Sequence, residues 1–157
     1  LQQLQRNIYE LGSLVQQVQH WRAKQQSIVF TNGCFDLLHK GHLHTLSRAA
    51  DLGHKLIIGL NTDASIRLLK GKNRPIQDEI TRASLLAAFR FVDAVALFNT
   101  PTPYQLIDAI RPDVLVKGGD YRPDDIVGAQ LVKQGGGKVI VIPYIEGIST
   151  TEILRKG

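Results

Sequence analysis

The chain reads Gly33-Cys34-Phe35-Asp36-Leu37-Leu38-His39-Lys40-Gly41-His42 directly after the apolar run Ile28-Val29-Phe30 and the polar pair Thr31-Asn32. Two imidazoles, two glycines and a carboxylate therefore cluster where a predicted strand ends and a helix begins. In an open α/β sheet, ligands bind beyond the carboxyl ends of the strands. The segment thus predicts a ligand site at that edge of a parallel sheet.

The two histidines in this segment favour a phosphate ligand. His39 and His42 are three residues apart, so their side chains can face one ligand across a single helical turn. Gly41 between them lets a phosphate approach the backbone closely. A lone histidine near a strand end is usually an ordinary surface or core residue. Two of them in a glycine-containing turn, the first three residues after Asp36, are a stronger signal of a phosphate site.

Short apolar segments alternate with helical patterns along the rest of the chain. The predicted strands are residues 28–30, 55–60, 94–98, 114–116 and 139–142. Such strands, separated by helices, imply a parallel sheet covered on both faces. The predicted fold class is therefore α/β, a single Rossmann-like domain with a five-stranded parallel sheet flanked by helices. Residues 1–26 are predicted to be an amino-terminal helical segment, in which Ser13 and Gln16 have capping-box spacing.

Composition narrows the class of protein. The chain has 157 residues, 43% of them apolar and 21% charged, which suits one domain with a sizeable core. No apolar run approaches the roughly 20 residues that cross a bilayer, so we expect no membrane partner. Cys34 is the single cysteine, which excludes an internal disulfide and fits a reducing cytoplasm. It is interpreted as a small packed residue rather than a reactive thiol.

The net charge of +5 raises the question of nucleic acid binding. The basic residues are scattered, however, and their densest cluster has little aromatic interleaving for base stacking. That cluster consists of Arg67, Lys70, Lys72 and Arg74. A small polyphosphate ligand explains it at least as well, so we expect no nucleic acid partner.

Three motifs resemble those of the cytidylyltransferase-like nucleotidyltransferases. Residues 33–42 resemble the family's Gly-x-Phe-Asp-x-x-His-x-Gly-His signature. Lys117-Gly118-Gly119-Asp120-Tyr121 resembles its Lys-Gly-x-Asp segment, and Glu146-Gly147-Ile148-Ser149-Thr150-Thr151 resembles its carboxy-terminal motif. The resemblance implies a single nucleotidyltransferase domain over residues 1–157, with the catalytic core at 27–157.

Within that family, residues 61–65, 69–71 and 74–76 resemble the D-glycero-β-D-manno-heptose 1-phosphate adenylyltransferases, which stand alone or form the carboxy-terminal part of a bifunctional protein. The implied reaction joins ATP and the heptose 1-phosphate into ADP-heptose and pyrophosphate, for lipopolysaccharide or surface-glycan assembly. Two positions depart from relatives. Tyr144 stands where glycerol 3-phosphate cytidylyltransferases carry Arg, and Cys34 stands where relatives often have Thr.

The resemblance also implies site residues. His39 and His42 would donate to the triphosphate as catalytic residues, and Lys70 would bridge the attacking phosphate and the α-phosphate. The implied nucleotide-binding residues are Cys34, Phe35, Asp36, Gly41, Lys72, Arg82, Lys117, Gly118, Asp120, Gly147, Ser149 and Thr150. Asp36 could orient a histidine, help hold Mg²⁺ or cap a helix. Mg²⁺ would arrive with the ATP phosphates, because the chain shows no dedicated carboxylate cage.

Other interpretations remain open at this point. A glycerol 3-phosphate cytidylyltransferase would use CTP, and a non-catalytic regulatory module would bind nucleotide without releasing pyrophosphate. A nucleic-acid-binding domain would bind in a strongly salt-dependent way. The family further implies a homodimer.

Overall fold

The computed structural model describes residues 5–144, and its six strands form one sheet. The strands are β1 (Ile8–Tyr9), β2 (Ile28–Gly33), β3 (Lys55–Asn61), β4 (Ala94–Phe98), β5 (Val114–Gly118) and β6 (Lys138–Ile142). They lie in the order β1-β4-β3-β2-β5-β6, and every neighbouring pair is parallel. The predicted α/β class with a parallel sheet is confirmed.

Helices connect the strands, as parallel neighbours require. They are α1 (Leu11–Ala23), α2 (Lys40–Ala50), α3 (Asp63–Lys70), α4 (Glu79–Ala87), α5 (Tyr104–Ile110) and α6 (Ala129–Gln134), with a 3₁₀ turn at Pro123–Asp125. Thr62 and Asp78 cap α3 and α4 by accepting from the amides of Ser65 and Thr81, at 3.2 and 2.8 Å. None of the helices in the described chain is long and apolar enough to cross a membrane.

The predicted strand number was wrong, because the sheet has six strands rather than five. The additional strand, β1, lies at the edge, where Ile8 pairs with Val95 and the Val95 amide donates to the Asn7 carbonyl at 2.7 Å. Two residues are too few to show an alternating pattern, so only the tertiary pairing reveals this strand.

The helix that follows β1 begins earlier than its predicted capping box. Glu10 is the residue before α1, and the Ser13 hydroxyl donates back to the Glu10 carbonyl at 2.9 Å instead of capping. The apolar face of this helix, with Leu14, Val18 and Trp21, is buried.

Both faces of the sheet are covered. Successive residues of β2 point to opposite faces. Phe30 joins the cluster that contains Leu14 and Ile107, whereas Val29 joins the cluster that contains Leu46. This two-sided burial explains why the central strands read as nearly continuous apolar runs.

The sheet order creates a crevice at its centre. The chain moves from β2 through β3 to β4 on one side, and β5 and β6 lie on the other side. Because β2 and β5 are neighbours, their carboxyl ends meet where the direction of winding reverses. This switch point is the place where doubly wound sheets bind ligands.

Candidate active site

A cavity of about 920 Å³ opens beyond the carboxyl ends of β2 and β5. Its volume is in the range of small-molecule sites. Nine of the residues singled out from the sequence line this cavity. They are Cys34, Phe35, Asp36, His39, Gly41, His42, Lys70, Lys117 and Gly118.

His39 and His42 are positioned together by the start of α2. His39 is the residue before the helix, and its Nδ1 accepts a hydrogen bond from the Gly41 amide at 3.1 Å. Because Nδ1 is an acceptor, the neutral ring of His39 carries its proton on Nε2 and can donate there. The two rings stack, with centroids 3.8 Å apart and planes 26° apart.

His42 is kept neutral by its surroundings. Burial lowers the pKa of His42 to about 4, and positive charge on His39 and Lys70 acts in the same direction. The Leu37 carbonyl opposes this shift. Burial also lowers the pKa of His39. Near pH 7 both rings are therefore neutral N–H donors. An anion that enters the cavity would raise their pKa values and favour their protonated forms.

Asp36 anchors a loop at the wall of the cavity. The residue is only 3% exposed, and one oxygen accepts from the amides of Ile76 and Gln77, at 2.8 and 3.1 Å. Its other oxygen lies 2.7 Å from Nε of Arg74. His39 rather than Asp36 caps the following helix, and the roles of Asp36 in orienting a histidine or holding Mg²⁺ stay predictions.

Arg82 does not line the cavity, contrary to its predicted place near phosphate. Its residue is 0% exposed, and its guanidinium lies 2.6 Å from an Asp63 carboxylate oxygen. It also donates to three carbonyl oxygens, those of Gln77, Cys34 and Asn61, at 2.8 to 3.0 Å. A guanidinium has five N–H groups in a fixed fork. These partners bind the N–H groups of the guanidinium, so Arg82 holds the carboxyl ends of β2 and β3 together.

The other charged residues predicted for the site divide into two groups. Lys70, at the end of α3, and Lys117, at the end of β5, line the cavity. Lys72 and Asp120 are exposed residues outside the lining. Burial lowers the pKa of Lys117, with the Cys34 thiol acting in the opposite direction.

Cys34 is partly buried at the wall of the cavity. Its sulfur lies 3.8 Å from the Asn61 side-chain oxygen, and its carbonyl is one of the Arg82 partners. Phe35 next to it has φ 46° and is nearly buried, so its ring contacts His42 with centroids 5.2 Å apart. A bulky residue in this left-handed conformation is typical of ligand sites.

Some predicted site residues lie outside the described part of the chain, and some residues of the cavity were not predicted. Gly147, Ser149 and Thr150 lie outside residues 5–144. Further cavity residues without a sequence prediction are Thr31, Thr45, Asn61, Phe98, Pro101, Thr102, Pro103, Ile126 and Val127. Several follow carboxyl ends of strands, which is the signal that could have found them.

Comparison with known proteins shows which sequences this chain resembles. The sequence model of the family described as cytidylyltransferase-like matches residues 30–156. The chain is 52% identical over 149 residues to the bifunctional protein HldE of Methylobacillus flagellatus, covering 95% of this chain and 30% of that protein. It is 48% identical to HldE of Koribacter versatilis, covering 98% of this chain and 32% of that protein. The chain thus spans about a third of the length of these relatives.

A solved structure is similar as well. The crystal structure of the lipopolysaccharide core biosynthesis protein from Thermoplasma volcanium superposes with a TM-score of 0.61 at 28% identity, covering 76% of this chain and 97% of that one. The family match extends over most of the sequence and includes the histidine pair, the lysine of β5 and the strand ends that build the cavity. The chain belongs to the cytidylyltransferase-like family of nucleotidyltransferases.

Proposed function

We propose that this chain is an adenylyltransferase that joins ATP and D-glycero-β-D-manno-heptose 1-phosphate into ADP-heptose and pyrophosphate. The observation that carries the proposal is the stacked His39–His42 pair facing the same cavity as Lys70 and Lys117. Two anionic reactants must meet in such a reaction, so cations and N–H donors have to offset their repulsion.

The transfer step is a displacement at the α-phosphorus of ATP. An oxygen of the sugar phosphate attacks the phosphorus, the bond to the pyrophosphate oxygen breaks on the opposite side, and pyrophosphate leaves. Negative charge grows on the leaving oxygen. His39 donates to the phosphates through Nε2, because its Nδ1 is occupied by the Gly41 amide. His42, stacked on it, supplies the second imidazole donor.

Lysines supply the fixed positive charge. Lys70 lines the cavity next to the histidines and lowers the pKa of His42, so its charge acts on the place where the phosphates would lie. We assign it to the attacking phosphate and the α-phosphate. Lys117 lies across the crevice at the end of β5, where it can hold a phosphate from the other side. Positioning and electrostatic stabilisation of this kind account for most of the catalysis in phosphoryl-type transfers.

Mg²⁺ is part of the proposal as an ion carried by ATP. Within residues 5–144 no group of three or more His, Cys, Asp or Glu side chains could hold a metal ion. The carboxylate nearest to the histidines in sequence, Asp36, is already engaged by Arg74 and two amides. The ion would be held mainly by phosphate oxygens, in line with the usual binding of Mg²⁺, and would neutralise part of their charge.

The choice of ATP and a heptose phosphate rests on the relatives and on the motifs. The HldE proteins are about half identical to this chain, and the similar solved structure is named for lipopolysaccharide core biosynthesis. Tyr144 replaces the Arg of the glycerol 3-phosphate cytidylyltransferases, which argues against that alternative. We further propose a cytoplasmic homodimer with no nucleic acid partner, and analytical ultracentrifugation tests its oligomeric state.

A pyrophosphate-release assay over a substrate panel tests this function. ATP and CTP are each combined with D-glycero-β-D-manno-heptose 1-phosphate and with glycerol 3-phosphate. We expect rapid release from ATP with the heptose phosphate and much slower release from the other pairs. Fastest release from CTP with glycerol 3-phosphate would support the cytidylyltransferase instead. ATP binding without release from any pair would support a regulatory module.

A further inference from the structure

Two exposed tyrosines line the β5–β6 end of the cavity. Tyr121 follows β5 and Tyr144 follows β6, and these strands are neighbours in the sheet. Both residues line the cavity, with 47% and 66% of their surface exposed. The phenylalanines that line the same cavity, Phe35 and Phe98, are more than nine-tenths buried. Among the described residues, the aromatic rings open to a ligand there are therefore those two tyrosines and the histidine pair.

The backbone at Gly119 packs closely against the Tyr144 ring. Gly119 has φ +121°, and a Cβ at that position would lie 2.8 Å from ring atoms of Tyr144. The Gly119 amide also donates to the Ile142 carbonyl at 2.9 Å, which ties the turn after β5 to the end of β6. Only a residue without a side chain lets the turn approach the ring this closely. The contact limits the positions of the Tyr144 ring and lowers the entropy that it would lose on binding a ligand.

The Tyr121 ring contacts the ammonium group of Lys117. Lys117 Nζ lies 5.5 Å from the centroid of the Tyr121 ring, within the range of a cation–π contact. Partial burial, and then the neighbouring Tyr121, raise the pKa of Tyr144, so its phenol stays neutral at pH 7. A lysine for phosphate thus lies beside the aromatic rings at this end of the cavity.

We propose that Tyr121 and Tyr144 form the surface on which the purine ring of ATP stacks, and that Tyr144 favours ATP over CTP. This inference rests on the proposed function and names the part of the cavity that binds the base. His39, His42 and Lys70 supply donors for the phosphates, and the two tyrosines supply the flat apolar surface that a base requires. A purine covers more of a ring than a pyrimidine does, so a tyrosine in place of arginine rewards the larger base.

Titration calorimetry with ATP alone tests this inference without an acceptor substrate. We expect Tyr144→Leu and Tyr121→Leu each to weaken ATP binding about tenfold, and Tyr144→Phe to retain wild-type affinity, because stacking needs the ring and not the hydroxyl. Tyr104→Leu is the matched control, because Tyr104 is also 47% exposed but does not line the cavity. Thermal unfolding of each variant identifies any loss of fold, and Tyr144→Phe keeps the test informative if a leucine variant fails to fold.

Turnover measurements separate base binding from chemistry. With the acceptor present, Tyr144→Leu should raise KM for ATP and leave kcat nearly unchanged, and Tyr144→Arg should lower the ratio of kcat/KM for ATP to that for CTP. Wild-type ATP affinity in both leucine variants would overturn the inference while leaving the proposed function intact. Failure of the wild-type chain to release pyrophosphate would overturn the proposed function, and the calorimetric comparison would still decide where the base stacks.

Discussion

The histidine pair and Arg82 are two groups of N–H donors that the sequence predicted at the phosphates, and the fold uses them in opposite ways. His39 and His42 face the cavity as stacked neutral rings. Arg82 is buried and bound to Asp63 and three carbonyl oxygens. The difference shows that a motif can predict where a residue lies, whereas the partners that tertiary folding brings to it determine whether it binds a ligand or holds the scaffold.

The largest expected effect concerns the scaffold side of this comparison. Arg82→Met should lower the free energy of unfolding by about 3–5 kcal/mol, because it leaves the Asp63 carboxylate and three carbonyls without their donor. Urea denaturation followed by circular dichroism measures it. Arg90→Met is the control, since Arg90 is exposed and surface changes usually stay within about 0.5 kcal/mol. Equal stability of the two variants would mean that the buried contacts of Arg82 are dispensable.

Substitution in the histidine pair should instead lower activity and leave the fold intact. His42→Ala should fold normally and lose roughly 100- to 1,000-fold in kcat, because one well-placed donor to developing charge contributes about 3–4 kcal/mol at the transition state. Steady-state kinetics with ATP and the heptose phosphate measure the loss. His20→Ala, an exposed histidine of α1, is the control. Near-normal turnover in a folded His42→Ala protein would remove His42 from the catalytic residues.

Two lysines at and just after the end of α3 allow a finer version of the same comparison. Lys70 lines the cavity and Lys72 does not, although only Gly71 separates them. Lys70→Ala should therefore lower kcat/KM for the sugar phosphate by about tenfold, or about 1.4 kcal/mol, and Lys72→Ala should change it less than about twofold. Parallel kinetics of the two variants decide the matter. A larger effect of Lys72 would show that the loop moves when substrate binds.

The smallest expected effect is on stability as a function of pH. The pKa of His42 is about 4 in the folded chain and about 6.5 in the unfolded one, so the unfolded chain binds more protons between these values. The contribution is present above pH 6.5 and is lost as pH falls toward 4. Between pH 7 and pH 5 the loss should be about 1 kcal/mol after allowance for solvent screening. Denaturation of the wild type and His42→Gln at both pH values isolates it, and equal pH dependence in the two proteins would contradict it.

Much of the fold could be predicted because its signals are local. Apolar strands such as residues 94–98 are specified by a few neighbouring residues. The edge strand Ile8–Tyr9 could not be, because its only support is pairing with Val95 and Ala96, far along the chain. A similar limit applies to the predicted cap at Ser13, where the helix begins at Leu11 instead.

The position of the candidate site could be predicted from the sequence, but the roles of its individual residues could not. Glycine and histidine spacing located the cavity, because both residue types act through the local turn between β2 and α2. The roles of Asp36 and Arg82 depend on Arg74, Gln77 and Asp63, which approach through tertiary packing. No pattern in the sequence around either residue reports those partners.

The most direct measurement of the central claim is NMR titration of the imidazole groups with and without ATP. A triphosphate gripped by the histidine pair supplies negative charge next to both rings, so the pKa of His42 should rise well above about 4 when ATP is present. The chemical shifts of His20 on α1, which does not line the cavity, should be the same with and without ATP. Unchanged pKa values for His39 and His42 at saturating ATP would contradict the account, because the triphosphate would then lie elsewhere.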